Sequence, residues 1–406
     1  ALRVYVMGER GAEREPASPA DIAAMAELAE AAVRAGALGF STSRTLNHRT
    51  SDGQPTPTLT AGEDELTGIA LGLARAGKGV LQVVSDFADP LAEFAMLRRI
   101  VEASGRPLSF SLTHHAKAPL KAQVCGRPVG ILFGFELTLN PFSQHPAYRA
   151  LAHLPLAERV ARLAQPDVRA ALLTEAGGPA QGFAGAAPRN WANMYLMGER
   201  PDYEPKPSQT VAALALAQGR RPEEVALDHM LSGGGRGMLY LPFLNYAEGS
   251  LDPSYEMLGH PDAVPGLSDG GAHVGMICDG SFPTSNLTHW TRDRTRGPRF
   301  DLEAMVRMQT RDTARAVGLH DRGMIAPGLR ADLNIIDYEN LALEPPTVAY
   351  DLPAGGRRLI QRARGYVATL VAGQVTQRDG EPTGALPGRL LRGAQPAPAA
   401  LGLAAE

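Results

Sequence analysis

The chain has 406 residues, 44% hydrophobic and 20% charged, with a formal net charge of −3, which suits a globular protein with a large core. No Lys/Arg run stands out, which argues against nucleic acid as the main partner, and no apolar run reaches the ~20 residues that a membrane span needs. The two cysteines, Cys125 and Cys278, show no CxxC spacing, so neither a disulfide framework nor a thiolate zinc site is expected, and a cytoplasmic location is the default. A small molecule is the expected partner, and a homo-oligomer of the chain is left open.

The first residues, ALRVYVMGERG, read as a strand. Ser18, Pro19 and Asp21 then start a helix in which Ile22, Met25, Ala29 and Val33 recur at helical spacing until Gly36. "GALGFSTS" reads as a strand, Thr60 and Glu63 as a capping box for a second helix ending near Gly77, and "GVLQVVS" as the next strand. A helix over residues 90–104 and the strand "PLSFSLT" complete a third round. Strands and helices alternating through short links imply a parallel sheet with chemistry at the C-terminal strand ends, either a (β/α)8 barrel or a doubly wound sheet.

Only Ala116 to Pro119 separate "SFSLTHH" from the extended "LKAQV", whereas a parallel crossover takes a dozen or more residues. A local hairpin or an absent helix near His115 to Pro119 would explain this, and the barrel pattern starts as though its first strands lay upstream of Ala1. "RGMLYLPF" and "AVPGLSD" read as two more buried strands. Residues 150–221 read as a partly helical insertion, Asp301 as a helix cap, and "ADLNIID" with "YVATLVAGQVTQRDGE" as a small β appendage. The expected division is a barrel over 1–326, part of a β-sandwich over 327–384 and a loose tail over 385–406.

Ten histidines include no His-x-His and no HExxH, so the two strongest metal spacings are missing. His114 and His115 are adjacent, and on a strand only one of them can face a barrel centre. Asp269 follows a buried strand into the glycine-rich "SDGGAH", where a carboxylate is costly unless paired or used, with His273 four residues on. Each of these groups is also explained as a polar strand end or a turn-former. Arg44, His48 and Arg49 follow the strand "GALGFSTS" and read either as a solvated basic loop or as an anion clamp.

"GALGFSTSRTLNHR", "LSDGGAHVGM", "MVRMQTRDTARAVGLHDRGMIAPGLRADLNIIDY" and "VATLVAGQVTQRDGE" together resemble the N-acyl-D-amino-acid deacylase branch of the amidohydrolase superfamily, over residues 1–392. The resemblance implies an α/β fold, a (β/α)8 TIM-like barrel incomplete at its N-terminus with a β-sandwich appendage. It implies one or two zinc ions, Asp269 of the "SDG" motif as catalytic acid and base, and His114 as a metal ligand. Arg44, His48 and His273 are then the expected substrate-binding residues. Two departures stand out: "AQVCGRP" offers no histidine where a further ligand is expected, and no arginine follows Asp269 in "GGAHVGMICDGSF". The function implied is metal-dependent hydrolysis of the amide of an N-acyl amino acid, with N-acyl-D-amino acids as the sub-class. A cyclic-amide hydrolase of the hydantoinase or dihydroorotase kind, and a non-catalytic barrel without its metal, are the alternatives.

Overall fold

A computed structural model describes the chain except for residues 47, 112–119, 175–184, 247, 267–270, 272 and 400–406. Five parallel strands form its central sheet: β1 (Gly39–Arg44), β2 (Val80–Ser85), β3 (Leu108–Ser111), β4 (Leu120–Val124) and β8 (Ala263–Pro265), in the order β1-β2-β3-β4-β8. Between β4 and β8 the chain makes a separate antiparallel sheet in which β7 (Met238–Leu244) pairs with both β5 (Val129–Phe133) and β6 (Tyr195–Met197). "RGMLYLPF" is thus a buried strand, but of this second sheet and not of the parallel one. Gly130 lets β5 approach there, because a Cβ would come within 2.1 Å of the Tyr240 ring.

The opening residues are helical, not extended, over Leu2–Met7 (α1), which is followed by the short helix Glu9–Ala12 (α2). Arg3 and Met7 stand one turn apart and are both buried, with Arg3 paired to Glu65, so burial of one helical face overrides the β-branched composition. Helix α3 (Pro19–Arg34) starts as its sequence requires: the Ser18 hydroxyl accepts from the Asp21 N–H at 3.2 Å, and the Asp21 carboxylate accepts from the Ser18 N–H at 2.8 Å. The capping box expected of Thr60 and Glu63 does not form. Thr60 donates instead to the Arg14 carbonyl at 3.1 Å, Glu63 binds Arg99 at 2.8 Å, and Gly62 caps α4 (Glu63–Arg75).

Helices α3, α4 and α5 (Pro90–Ser104) cover one face of the sheet. Met25, Ile69, Leu73, Leu97 and Ile100 pack there against Leu81, Val83, Leu108 and Phe110. Side chains alternate along a strand, so Ser41, Ser43, Gln82, Ser109, Ser111 and Gln123 fall on the other face. The sheet is therefore apolar towards its helices and polar on the side that a barrel would enclose.

Strands β3 and β4 run parallel with Leu108 opposite Leu120, which rules out a hairpin. The link itself, residues 112–119, lies outside the described residues. Residues 150–221 do carry helices, at Leu156–Leu163, Pro166–Thr174 and Val211–Gln218. Asp301 stands at the start of the helix Leu302–Arg307, with no bond from its side chain to the first turn.

The strands of the C-terminal region pair antiparallel. Strands β9 (Leu333–Ile336), β14 (Tyr366–Val371), β15 (Gln374–Arg378) and β16 (Glu381–Pro382) make one sheet, β11 (Thr347–Leu352) and β12 (Gly356–Ile360) a hairpin, and β10 (Ala342–Leu343) pairs with β13 (Ala363–Arg364). Beyond them, Gln395 exchanges backbone bonds with Gly318 and His320 at 2.9 and 2.8 Å. No described helix is long and apolar enough to cross a membrane.

Candidate functional site

The parallel strands put the ends of β1, β2, β3, β4 and β8 along one edge of the sheet, where the polar face meets the loops. Ser43, the last β1 residue on that face, has its hydroxyl 2.7 Å from His48 Nδ1, so the loop after β1 folds its exposed imidazole back over this edge. Thr58 fixes the same point by donating to the Ser43 carbonyl at 2.7 Å. The β1 and β2 ends are tied together as well, since Asp86 accepts from the Thr45 hydroxyl and, at 2.8 Å, from the Leu46 N–H.

Arg44, one residue further, turns to the helix side. Its guanidinium bonds Glu93 of α5 at 2.9 Å and the Ala61 carbonyl, and Glu93 also accepts from the Ser85 hydroxyl at 2.6 Å. To hold a substrate carboxylate it would have to exchange one carboxylate partner for another. The structure thus brings His48 to the polar edge and commits Arg44 to a structural pair.

From β8 the chain runs through Gly266, whose N–H donates to the Val124 carbonyl at 2.9 Å. A Cβ at Gly266 would sit 3.0 Å from Cβ of Gln123, so the glycine lets this exit lie close against β4. Asp269 comes three residues later and lies outside the described residues, as does His114. His273 is exposed and holds φ at +52°, a left-handed conformation that is uncommon outside glycine. Its carbonyl accepts from the N–H groups of Met276 and Ile277 at 2.7 and 3.0 Å, which closes a tight turn. At Gly271 a side chain would meet no atom of the described residues within 4 Å.

Residues 274–276 are then held from three directions. Leu359 of β12 donates to the Val274 carbonyl at 2.7 Å, Thr138 to that of Gly275 at 3.0 Å, and Leu132 of β5 to that of Met276 at 2.8 Å. Beyond them Arg127, from the turn after β4, bonds the Cys278 carbonyl at 2.6 Å and the Asp279 carboxylate at 3.1 Å. Burial outweighs the lowering effect of the Arg127 guanidinium and, with a smaller push from Asp279, raises the Cys278 thiol to about 11, so it is no ready nucleophile.

The chemistry available at this edge is polar and proton-handling. Among the described residues no three His, Cys, Asp or Glu side chains gather to hold a metal ion. Asp86 is already engaged by Thr45 and Leu46, and β4 ends in Val124 and the buried Cys125. The described residues therefore do not by themselves fit a metal centre. The sequence reading also passed over the serine and glutamine face and the Arg127 cluster. The first was legible in the alternation of "GFSTSR" and "LSFS"; the second joins residues more than 150 positions apart and leaves no local mark.

Comparison with known proteins gives the following. The model of the amidohydrolase family matches residues 1–377. A search of curated proteins finds no match. Among solved structures, a crystal structure of D-aminoacylase is 20% identical with a TM-score of 0.48, covering 97% of this chain and 69% of that one. An aspartate-to-alanine mutant of D-aminoacylase in complex with copper chloride is 19% identical with a TM-score of 0.49, covering 98% and 69%. A D-aminoacylase structure concerned with the role of a binuclear metal centre gives 20%, 0.48, 97% and 69%.

Proposed function

We propose that this hydrolase, which belongs to the amidohydrolase family, cleaves the amide bond of an N-acyl amino acid, with N-acyl-D-amino acids as its preferred sub-class. The observation that carries the reading is the course of the chain after β8. That strand ends at the same edge as β1 to β4, and Gly266 carries the chain out of it there, three residues before Asp269 in the sequence. Open sheets of this kind bind and transform ligands at such an edge.

In this reading Asp269 removes a proton from the attacking water and returns it to the leaving nitrogen, so that one carboxylate serves both half-reactions. His48, turned towards the edge by Ser43, and His273, exposed on its strained turn, donate hydrogen bonds to the substrate's carboxylate or acyl oxygen. Zinc is the metal that the resemblance implies, with His114 as a ligand.

Amine release from matched N-acetyl-D- and N-acetyl-L-amino acids, with a hydantoin and a dihydropyrimidine alongside, tests the reading. Turnover of the linear amides with the D-series ahead is expected. Turnover confined to the cyclic amides, or to none of them, would overturn it. Metal analysis of the purified chain accompanies the assay: zinc near one or two equivalents is expected, and a content near zero in an active protein would remove the metal from the proposal.

A further inference from the structure

We infer that Arg127 is a positioning residue, which together with Gln361 of the β appendage fixes the loop carrying Asp269 and His273. The inference rests on the proposed function for the purpose of that loop, and on the geometry alone for its mechanical content. Arg127 is 2% exposed, and its guanidinium lies between two rings, 3.8 Å over Tyr203 and 4.5 Å over Phe282. One side of its fork donates to the Cys278 carbonyl and the Asp279 carboxylate, as above. The other side donates to the Ser281 hydroxyl at 3.0 Å and to Gln361 Oε1 at 3.4 Å.

Gln361 follows β12 directly and is itself fixed. Its Oε1 accepts from the Tyr203 hydroxyl at 3.0 Å and from the Ser281 hydroxyl, while its Nε2 donates to the Glu344 carbonyl at 2.9 Å. One buried cation thus joins three separate parts of the chain: the turn after β4, the end of the loop after β8, and the appendage. Arginine is suited to this because its planar fork bonds in two directions at once while its faces stack on aromatic rings. Lysine's compact ammonium has no planar fork to lie flat between two rings while bonding along both edges. The appendage accordingly has a specific task, to hold residues 274–281, just beyond His273, through the Leu359 N–H and Gln361.

Hydrogen exchange and kinetics on Arg127→Lys and Gln361→Ala, in the full chain, test this. Loss of the tether should speed amide exchange across residues 271–281 by about tenfold or more while the amides of β1 to β3 keep their protection. On an N-acyl amino acid, kcat should fall by roughly ten- to a hundredfold with KM changed less than about twofold, the signature of a misplaced reacting group and not of a lost binding contact. Unchanged exchange in 271–281 in either folded variant would overturn the inference, and so would acceleration spread evenly over the whole chain. If the parent protein turns over no N-acyl amino acid, the functional reading fails by itself, and the exchange result still decides whether Arg127 sets the loop.

Discussion

Replacing Glu204 with glutamine should cost the protein about 3 kcal/mol at neutral pH and almost none of that at strongly acid pH. Glu204 is 3% exposed and lies at a hub. It accepts from Arg294 Nε and Nη2 at 3.0 Å each and from the Leu251 N–H at 2.9 Å, and His289 Nε2 lies 3.0 Å from it. Burial alone would raise its pKa, but the neighbouring His289 and Arg294 and the Leu251 N–H outweigh it and hold the carboxyl at about 2 against an ordinary 4.5. Because the folded value lies below the unfolded one, the stabilisation is complete above about pH 4.5 and is lost as pH falls towards 2. At about 1.4 kcal/mol per pH unit, that interval gives about 3 kcal/mol.

Glutamine copies the shape of the protonated acid, so Glu204→Gln should remove that stabilisation. It would leave the buried Arg294 with the half-exposed Asp252, 2.6 Å away, as its remaining carboxylate partner. Urea unfolding followed by circular dichroism, at pH 7 and again at pH 3, reads the difference directly. The gap between parent and variant should shrink by roughly 2 kcal/mol at the lower pH. A variant as stable as the parent at pH 7, or a gap that does not change with pH, would refute the argument.

Other expectations follow from single contacts. A Cβ at Gly39 would lie 1.9 Å from the Val80 carbonyl oxygen, so Gly39→Ala should force β1 away from β2 and destabilise by about 2 kcal/mol or more, as seen in thermal unfolding. Arg44→Met strips Glu93 of its cation and should cost about 1–2 kcal/mol in urea unfolding while KM stays the same; a tenfold rise in KM would return Arg44 to the substrate carboxylate. His48→Ala should raise KM by about tenfold with kcat within about threefold, the pattern of a contact made equally in ground and transition states. An unchanged KM would take His48 out of the site.

The parallel β/α alternation was legible because both periods are local: the Ser18 cap, the helical spacing of Met25, Ala29 and Val33, and the apolar run "LQVV" each carry their own signal. What the sequence could not convey was set by distant partners. Leu2–Met7 is helical because Arg3 finds Glu65, 62 positions away. "MLYLPFL" is apolar along its length and reads the same whether its neighbours are parallel or antiparallel, and the Gly130–Tyr240 fit that decides the matter is tertiary. Arg44 and His48 lie four residues apart and look equivalent as candidate clamps. The strand pleat sends Arg44 to the helices, and Ser43 draws His48 to the polar edge.

Asp269 is the residue proposed to carry the proton in amide hydrolysis, and steady-state kinetics of Asp269→Asn on the best N-acyl amino acid decide whether it does. Asparagine keeps the size and the hydrogen bonding of the side chain but cannot take up or return a proton. With circular dichroism and melting behaviour matching the parent, kcat should fall by roughly 10² to 10⁴, the usual range for a lost general acid or base, and His273→Ala in the same assay should cost less. An Asp269→Asn protein that retains more than about a tenth of the parent kcat, or a larger loss for His273→Ala, would contradict the account.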